Sequence, residues 1–237
     1  MIRPNVRASF GRHEAEILLA LAGPEGEERL RHEGIDALLD DARLVRKLLG
    51  RGGIEMAPAP LVFYLLVRHA LLEREIHDEQ LADYTAAVLL EFGRIGRRSD
   101  GMAAVYPDTI YLVDILGEIE QARGAREFVL RAHLGNVALW LGGVFPDFIA
   151  ERLQRRGAPP ISYYDEMGAG AFRSAASMEL AVRYGVGDLF IQFADQFSHV
   201  RSALNGLSDA LFFPHSGDAV ERVLREVTDR FNRGLDR

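Results

Sequence analysis

The chain has 237 residues, with 28 Lys+Arg against 35 Asp+Glu, a formal net charge of −7 and no cysteine. An apolar share of 48% and a charged share of 27% are ordinary for a globular protein, so collagen-like and broadly disordered classes are excluded. Without cysteine there is no thiolate nucleophile, no disulfide, no Cys-ligated zinc and no ordinary iron–sulfur cluster.

The opening stretch, Met1 to Phe10, lacks an apolar core of signal-peptide length. A cytoplasmic protein is therefore expected. Gly23-Pro24 marks the first break. Ile35, Leu38, Leu39, Ala42, Val45, Leu48 and Leu49 then follow the i, i+3, i+4 rhythm of one buried helical face ending at Gly52-Gly53. Asp78 has the place of an N-cap ahead of Leu81, Tyr84, Thr85, Val88, Phe92 and Ile95, which repeat the rhythm. Leu112, Ile115, Leu116 and Ile119 do so again behind Pro107. Ser162 and Asp165 have the spacing of a capping box, and Asp218 and Glu221 open a last helix striped by Val220, Val223, Leu224, Val227 and Phe231.

No comparable run alternates with a period of two. The spacing predicts an all-α fold, a compact single-domain bundle of about nine or ten helices over residues 1–237. No linker rich in Ser, Pro or charge divides the chain, and no repeat of helical-hairpin length is visible. The longest apolar runs, Leu61 to Val67 and Leu134 to Phe145, fall short of the ~20 residues that cross a bilayer, so no membrane span is expected.

Most chemical motifs fail on inspection. Lys47 is the only lysine and has no glycine loop around it, which argues against Schiff-base or phosphate-loop chemistry. No histidine has a glutamate three residues before it, as di-iron bundles require; His69, Glu73 and His77 form only an i, i+4, i+8 stripe that cannot easily converge on one metal. Asp36, Asp40 and Asp41 superficially resemble a magnesium-binding aspartate turn, yet no second acidic motif matches, and an exposed acidic face is expected. Gly168-Ala169-Gly170-Ala171 lacks the third glycine of a dinucleotide loop and falls inside a helix; Gly168, Ala171 and Ala175 are expected to let helices approach closely. No catalytic residue, metal or cofactor is predicted.

The candidate ligand-binding residues are His133, Asn136, Trp140 and Asp147. Val129, His133, Asn136, Trp140 and Val144 recur at helical spacing, placing an imidazole and an amide beside the single tryptophan. A pocket wall has this pattern, in which a few polar groups interrupt an apolar lining. Asp147 follows Gly142-Gly143 and Pro146, where the helix should break and restart. Asp195 and His199, at i, i+4, are the spacing of an acid/base pair on the polar side of a helix whose apolar stripe is Phe190, Phe193, Phe197 and Val200.

The expected function is a non-enzymatic protein-interaction or self-associating module, a homo-oligomer or a binder of a protein partner. The alternative is a small-molecule enzyme or ligand-binding bundle with its pocket near His133, Asn136 and Trp140. A weaker alternative is nucleic-acid binding through Arg94, Arg97 and Arg98 or Arg152, Arg155 and Arg156. Residues 61–120 carry eleven acids against five arginines, a balance that opposes a general electrostatic grip on nucleic acid.

Overall fold

Asp78 caps its helix as its position predicts: its carboxylate accepts the Leu81 N–H at 2.9 Å. It belongs to a computed structural model describing residues 2–50, 57–98 and 112–212, without the side chains of 49, 50, 93–98 and 209–212. The predicted features at Gly52-Gly53, Pro107 and Asp218 to Phe231 lie outside the described residues. Among those described there are twelve α-helices and no strand. The all-α expectation holds, and the count exceeds nine or ten because two of the helices have only four and five residues, too short to display a period.

The helices group into two compact units, Ile2–Arg94 and the described part of Ile95–Arg222. The first holds a 3-10 turn Arg7–Ser9, then α1 Arg12–Ala22, α2 Pro24–Glu33, α3 Asp36–Leu39, α4 Ala42–Gly50 and α5 Ala59–Leu72, with most of α6 Glu79–Arg98. Gly23 takes φ +78°, a left-handed value that ends α1, and Pro24 starts α2 at once. The helix read from Ile35 to Leu49 is two helices. Asp41 interrupts it by capping α4, its carboxylate accepting the Arg43 N–H at 2.9 Å. Leu38, Leu39, Val45 and Leu48 still bury as their spacing implies, whereas Ala42 of the same stripe is exposed and Leu44, outside it, is buried.

The second unit contains α7 Leu112–Gln121, α8 Gly124–Val144, α9 Pro146–Arg156, α10 Ile161–Ala176, α11 Glu179–Arg183 and α12 Gly187–Phe212. Its centre is α8, α10 and α12. A Cβ on Gly135 would strike Phe172 and one on Gly142 would approach Tyr164, so α8 and α10 run antiparallel. Gly143 meets Leu204, and Phe128 stacks near Phe190, so α12 runs parallel to α8. Phe172 forms the hub, its ring 5.1 Å from Phe190, 5.0 Å from Phe193 and 6.2 Å from Phe197. α8 and α9 meet at 90°, and no single described helix is long and apolar enough to cross a bilayer. Ser162 and Asp165 do not form the expected capping box. α10 starts at Ile161 without a side-chain cap, and Asp165 binds Arg201 instead.

The Gly-Ala-Gly-Ala run does what close packing requires. A Cβ on Gly168 would sit 2.1 Å from Phe197 Cζ, whereas one on Gly170 meets nothing within 4 Å. Gly168→Ala is expected to destabilise by about 1–3 kcal/mol through overpacking. Gly170→Ala, in the same helix, should stabilise by about 0.5–1 kcal/mol through helix propensity. Paired urea titrations check the opposite signs, and a neutral Gly168→Ala would contradict the close α10–α12 approach.

Candidate functional site

The four sequence-predicted residues divide between core and surface. Asn136 is 2% exposed and Trp140 8%, both inside the fully buried stretch of α8. Trp140 packs edge-to-face on Phe145, with ring centroids 5.5 Å apart. His133 is exposed on α8, yet desolvation by the surrounding protein holds the imidazole below the ordinary histidine range, with Glu118 pulling the other way. Asp147 is exposed in the first turn of α9, where a carboxylate favours the helix dipole. The α8 stripe thus brings Asn136 and Trp140 into one buried environment and leaves His133 and Asp147 in contact with solvent. The Oδ1 of Asn136 is buried and has no hydrogen-bond partner among the described residues.

Other candidates resolve into structural pairs. His69 Nε2 lies 2.9 Å from the Leu39 carbonyl oxygen, and His77 is exposed beyond the end of α5. Asp195 accepts a hydrogen bond from Arg173 at 2.8 Å. Lys47 donates to the Leu21 carbonyl at 2.7 Å near the end of α1. Arg155 pairs with Glu151, and Arg152 lies over the Phe148 ring at 5.4 Å. The side chains of Arg94, Arg97 and Arg98 lie outside the described set.

Asp36 and Asp40 keep 42% and 39% of their side chains exposed, as expected, while Asp41 is at 9%; all three are paired, because arginines from distant positions reach them. Arg7 binds Asp36 and also Glu79 at 3.0 Å, and its backbone N–H donates to Asp83 at 2.7 Å. Arg68, 3% exposed, grips Asp40 through two bonds of 2.7 and 2.8 Å and donates a third, of 2.7 Å, to the His77 carbonyl. Arg29 and Arg43 converge on Asp41.

These contacts set the local electrostatics. Hydrogen bonds from Arg43 lead the causes that hold the Asp41 carboxyl well below the usual aspartate range. Burial pushes the Asp83 carboxyl up against the pull of the Arg7 N–H, and burial also raises the Tyr64 hydroxyl. Because the folded Asp41 value is depressed, its stabilisation is complete above the ordinary aspartate value of 3.8 and disappears as pH falls below it. Acid titration followed by circular dichroism should therefore show Asp41→Asn losing less stability than the parent between about pH 4 and pH 2. Identical acid limbs for the two proteins would count against the pairing.

A second network lies on α12. Arg201, 14% exposed in its side chain, binds Asp165 at 2.7 and 3.1 Å and Asn205 at 2.7 Å. Asn205 donates to the Gly142 and Gly143 carbonyls at 2.8 and 2.7 Å, and Ser208 donates to the Val144 carbonyl at 3.2 Å. The last carbonyls of α8, which lack partners in their own helix, are thus satisfied from a neighbouring one. Sequence reasoning missed this set. The available signal was an i, i+4, i+7 polar stripe on a helix otherwise rich in buried Phe. Comparison with protein-family models, curated protein sequences and solved structures finds no match for this chain.

Proposed function

We propose that the chain is a helical protein-interaction module that associates with a second copy of itself. The observation that carries this reading is the apolar corner between α11 and α12, where Val182 is 78% exposed, Tyr184 44% and Ile191 41%. Val129, 41% exposed, adjoins Phe128, whose ring lies 5.8 Å from Tyr184 and 6.2 Å from Phe190. Phe128 thus ties the first half of α8 to Tyr184 and to the start of α12. Leaving apolar area in water forgoes about 25 cal/mol per Å², and clustered exposure of this kind marks interaction surfaces. Glu179, Arg183 and Asp188 are exposed on the same short stretch. A two-fold contact, in which a patch meets its own copy, is served by a rim carrying both signs of charge.

Light scattering after size exclusion should return a dimer or larger assembly. Val182→Asp and Ile191→Arg should convert it to monomer with unchanged circular dichroism. A parent protein that stays monomeric at every concentration tested sinks the proposal.

The orphaned Oδ1 of Asn136 favours a second reading, a small ligand with a hydrogen-bond donor bound beside Asn136 and Trp140. A buried acceptor left without a partner costs about 1–3 kcal/mol, which a bound donor would recover. Native mass spectrometry of the purified protein tests it. Retained mass that Asn136→Leu abolishes supports a ligand; a bare parent spectrum, with Asn136→Leu as stable as the parent or more so, supports a purely structural amide.

A further inference from the structure

Tyr64 and Arg68 on α5 and Asp83 on α6 are 1%, 3% and 8% exposed, and both charged groups act electrostatically on the Tyr64 hydroxyl. Burying a guanidinium and a carboxylate carries a desolvation cost for each ion, recovered only when the geometry is good. Arg68 recovers it through Asp40 and the His77 carbonyl, but Asp83 depends on a cover, the segment Ile2–Phe10. We propose that Ile2–Phe10 is a salt-sensitive latch over Tyr64 and Asp83, held shut chiefly by Arg7.

Three features of the segment support this. Its hold is polar: Arg7 reaches Asp36 and Glu79, and its N–H reaches Asp83, whereas Val6 is the only apolar residue of the segment that is buried. The pairs are open to water, with side-chain exposures of 34% for Arg7 and 42% for each partner, so dissolved ions screen them. Phe10 rests its ring edge-to-face on Tyr64 at 5.5 Å and is itself only half-buried.

The segment can also move as a unit. Ser9 N–H and Phe10 N–H bond back to the Val6 and Arg7 carbonyls, so the 3-10 turn is closed within itself. α1 is capped from its own side, Glu14 accepting the Gly11 N–H at 2.7 Å, so release need not unwind that helix. Opening leaves Asp36 and Glu79 without their cation and Asp83 without the Arg7 N–H, with Glu79 and Asp83 both acting on the Tyr64 hydroxyl. Such an acidic recess takes a guanidinium or an ammonium group, the chemistry that Arg7 itself supplies when the latch is shut.

Tyrosine nitration mapped by mass spectrometry reads the latch directly on the full chain. Tyr184, 44% exposed, is the positive control, and Tyr84, at 0%, the negative one. In the parent protein at low salt, Tyr184 should react while Tyr64 and Tyr84 stay protected. Arg7→Ala should raise Tyr64 nitration at least several-fold with Tyr84 still protected. Sodium chloride at about 1 M, where screening acts over about 3 Å, should do the same in the parent. If Arg7→Ala fails to fold, Tyr84 reacts as well and the salt series on the parent decides. Tyr64 remaining as protected as Tyr84 in high salt, or in a folded Arg7→Ala, overturns the proposal.

Discussion

Phe172→Ala is expected to destabilise the second unit by about 3–5 kcal/mol, the range for truncating a fully buried aromatic side chain. Phe172 is 0% exposed and its ring lies against Phe190, Phe193 and Phe197. It also occupies the space that Gly135 leaves open on α8, with ring atoms 2.8 Å from where a Cβ would stand. All three central helices therefore lose contacts at once, and the gap cannot be closed by moving one of them. A cooperative melt should fall by roughly 6–20 °C, given about 2–4 °C per kcal/mol for chains of this size. Phe172→Leu should recover part of the loss. A shift of under about 1 °C would mean that the hub is not where these ring contacts place it.

Arg68→Met should cost about 3 kcal/mol, the low end for a broken buried ion pair. The low end applies because Asp40, 39% exposed in its side chain, keeps contact with water when its partner is gone. The Arg68 site has no such access at 4% side-chain exposure, so the arginine does most of the work of joining α5 to the turn ahead of α4 and to the chain beyond α5. Asp40→Asn with Arg68 intact should be worse than the double variant Arg68→Met/Asp40→Leu, because the single change strands a buried guanidinium. Urea denaturation of the three variants gives the comparison, and an additive double variant would argue against the pairing.

Much of the fold was legible because burial acts on local spacing. Phe190, Phe193, Phe197 and Val200 bury as their period implies, with Gln192, Asp195 and His199 exposed opposite them. The Gly142-Gly143-Val144-Phe145-Pro146 run predicted a corner, and a 90° corner is there. What escaped was set by partners far away in the chain. Nothing near Asp40 announces Arg68, 28 positions on, and nothing near Asp165 announces Arg201, 36 positions on. Local signals can also compete: Asp165 has capping-box spacing from Ser162, but a bidentate arginine outbids it. The short helix Asp36–Leu39 hid inside a continuous apolar rhythm, and the cap at Asp41 that breaks the backbone also leaves Ala42 of that rhythm exposed. For the candidate site, the sequence singled out Asn136 as an amide in need of a partner, and its acceptor is the one left open on α8; its lack of a donor depends on neighbouring helices that no local pattern encodes.

The joint between α8 and α9 has a consequence for synthesis. Its carbonyls at Gly142 and Gly143 wait for Asn205, which the ribosome adds 63 and 62 residues later. A nascent chain released only through α10 has its first long coil in place but an unfinished elbow, hydrated where the mature protein is dry. Stalled intermediates of that length should be cut by proteases near Phe145, and the cleavage should cease once translation has passed Ser208.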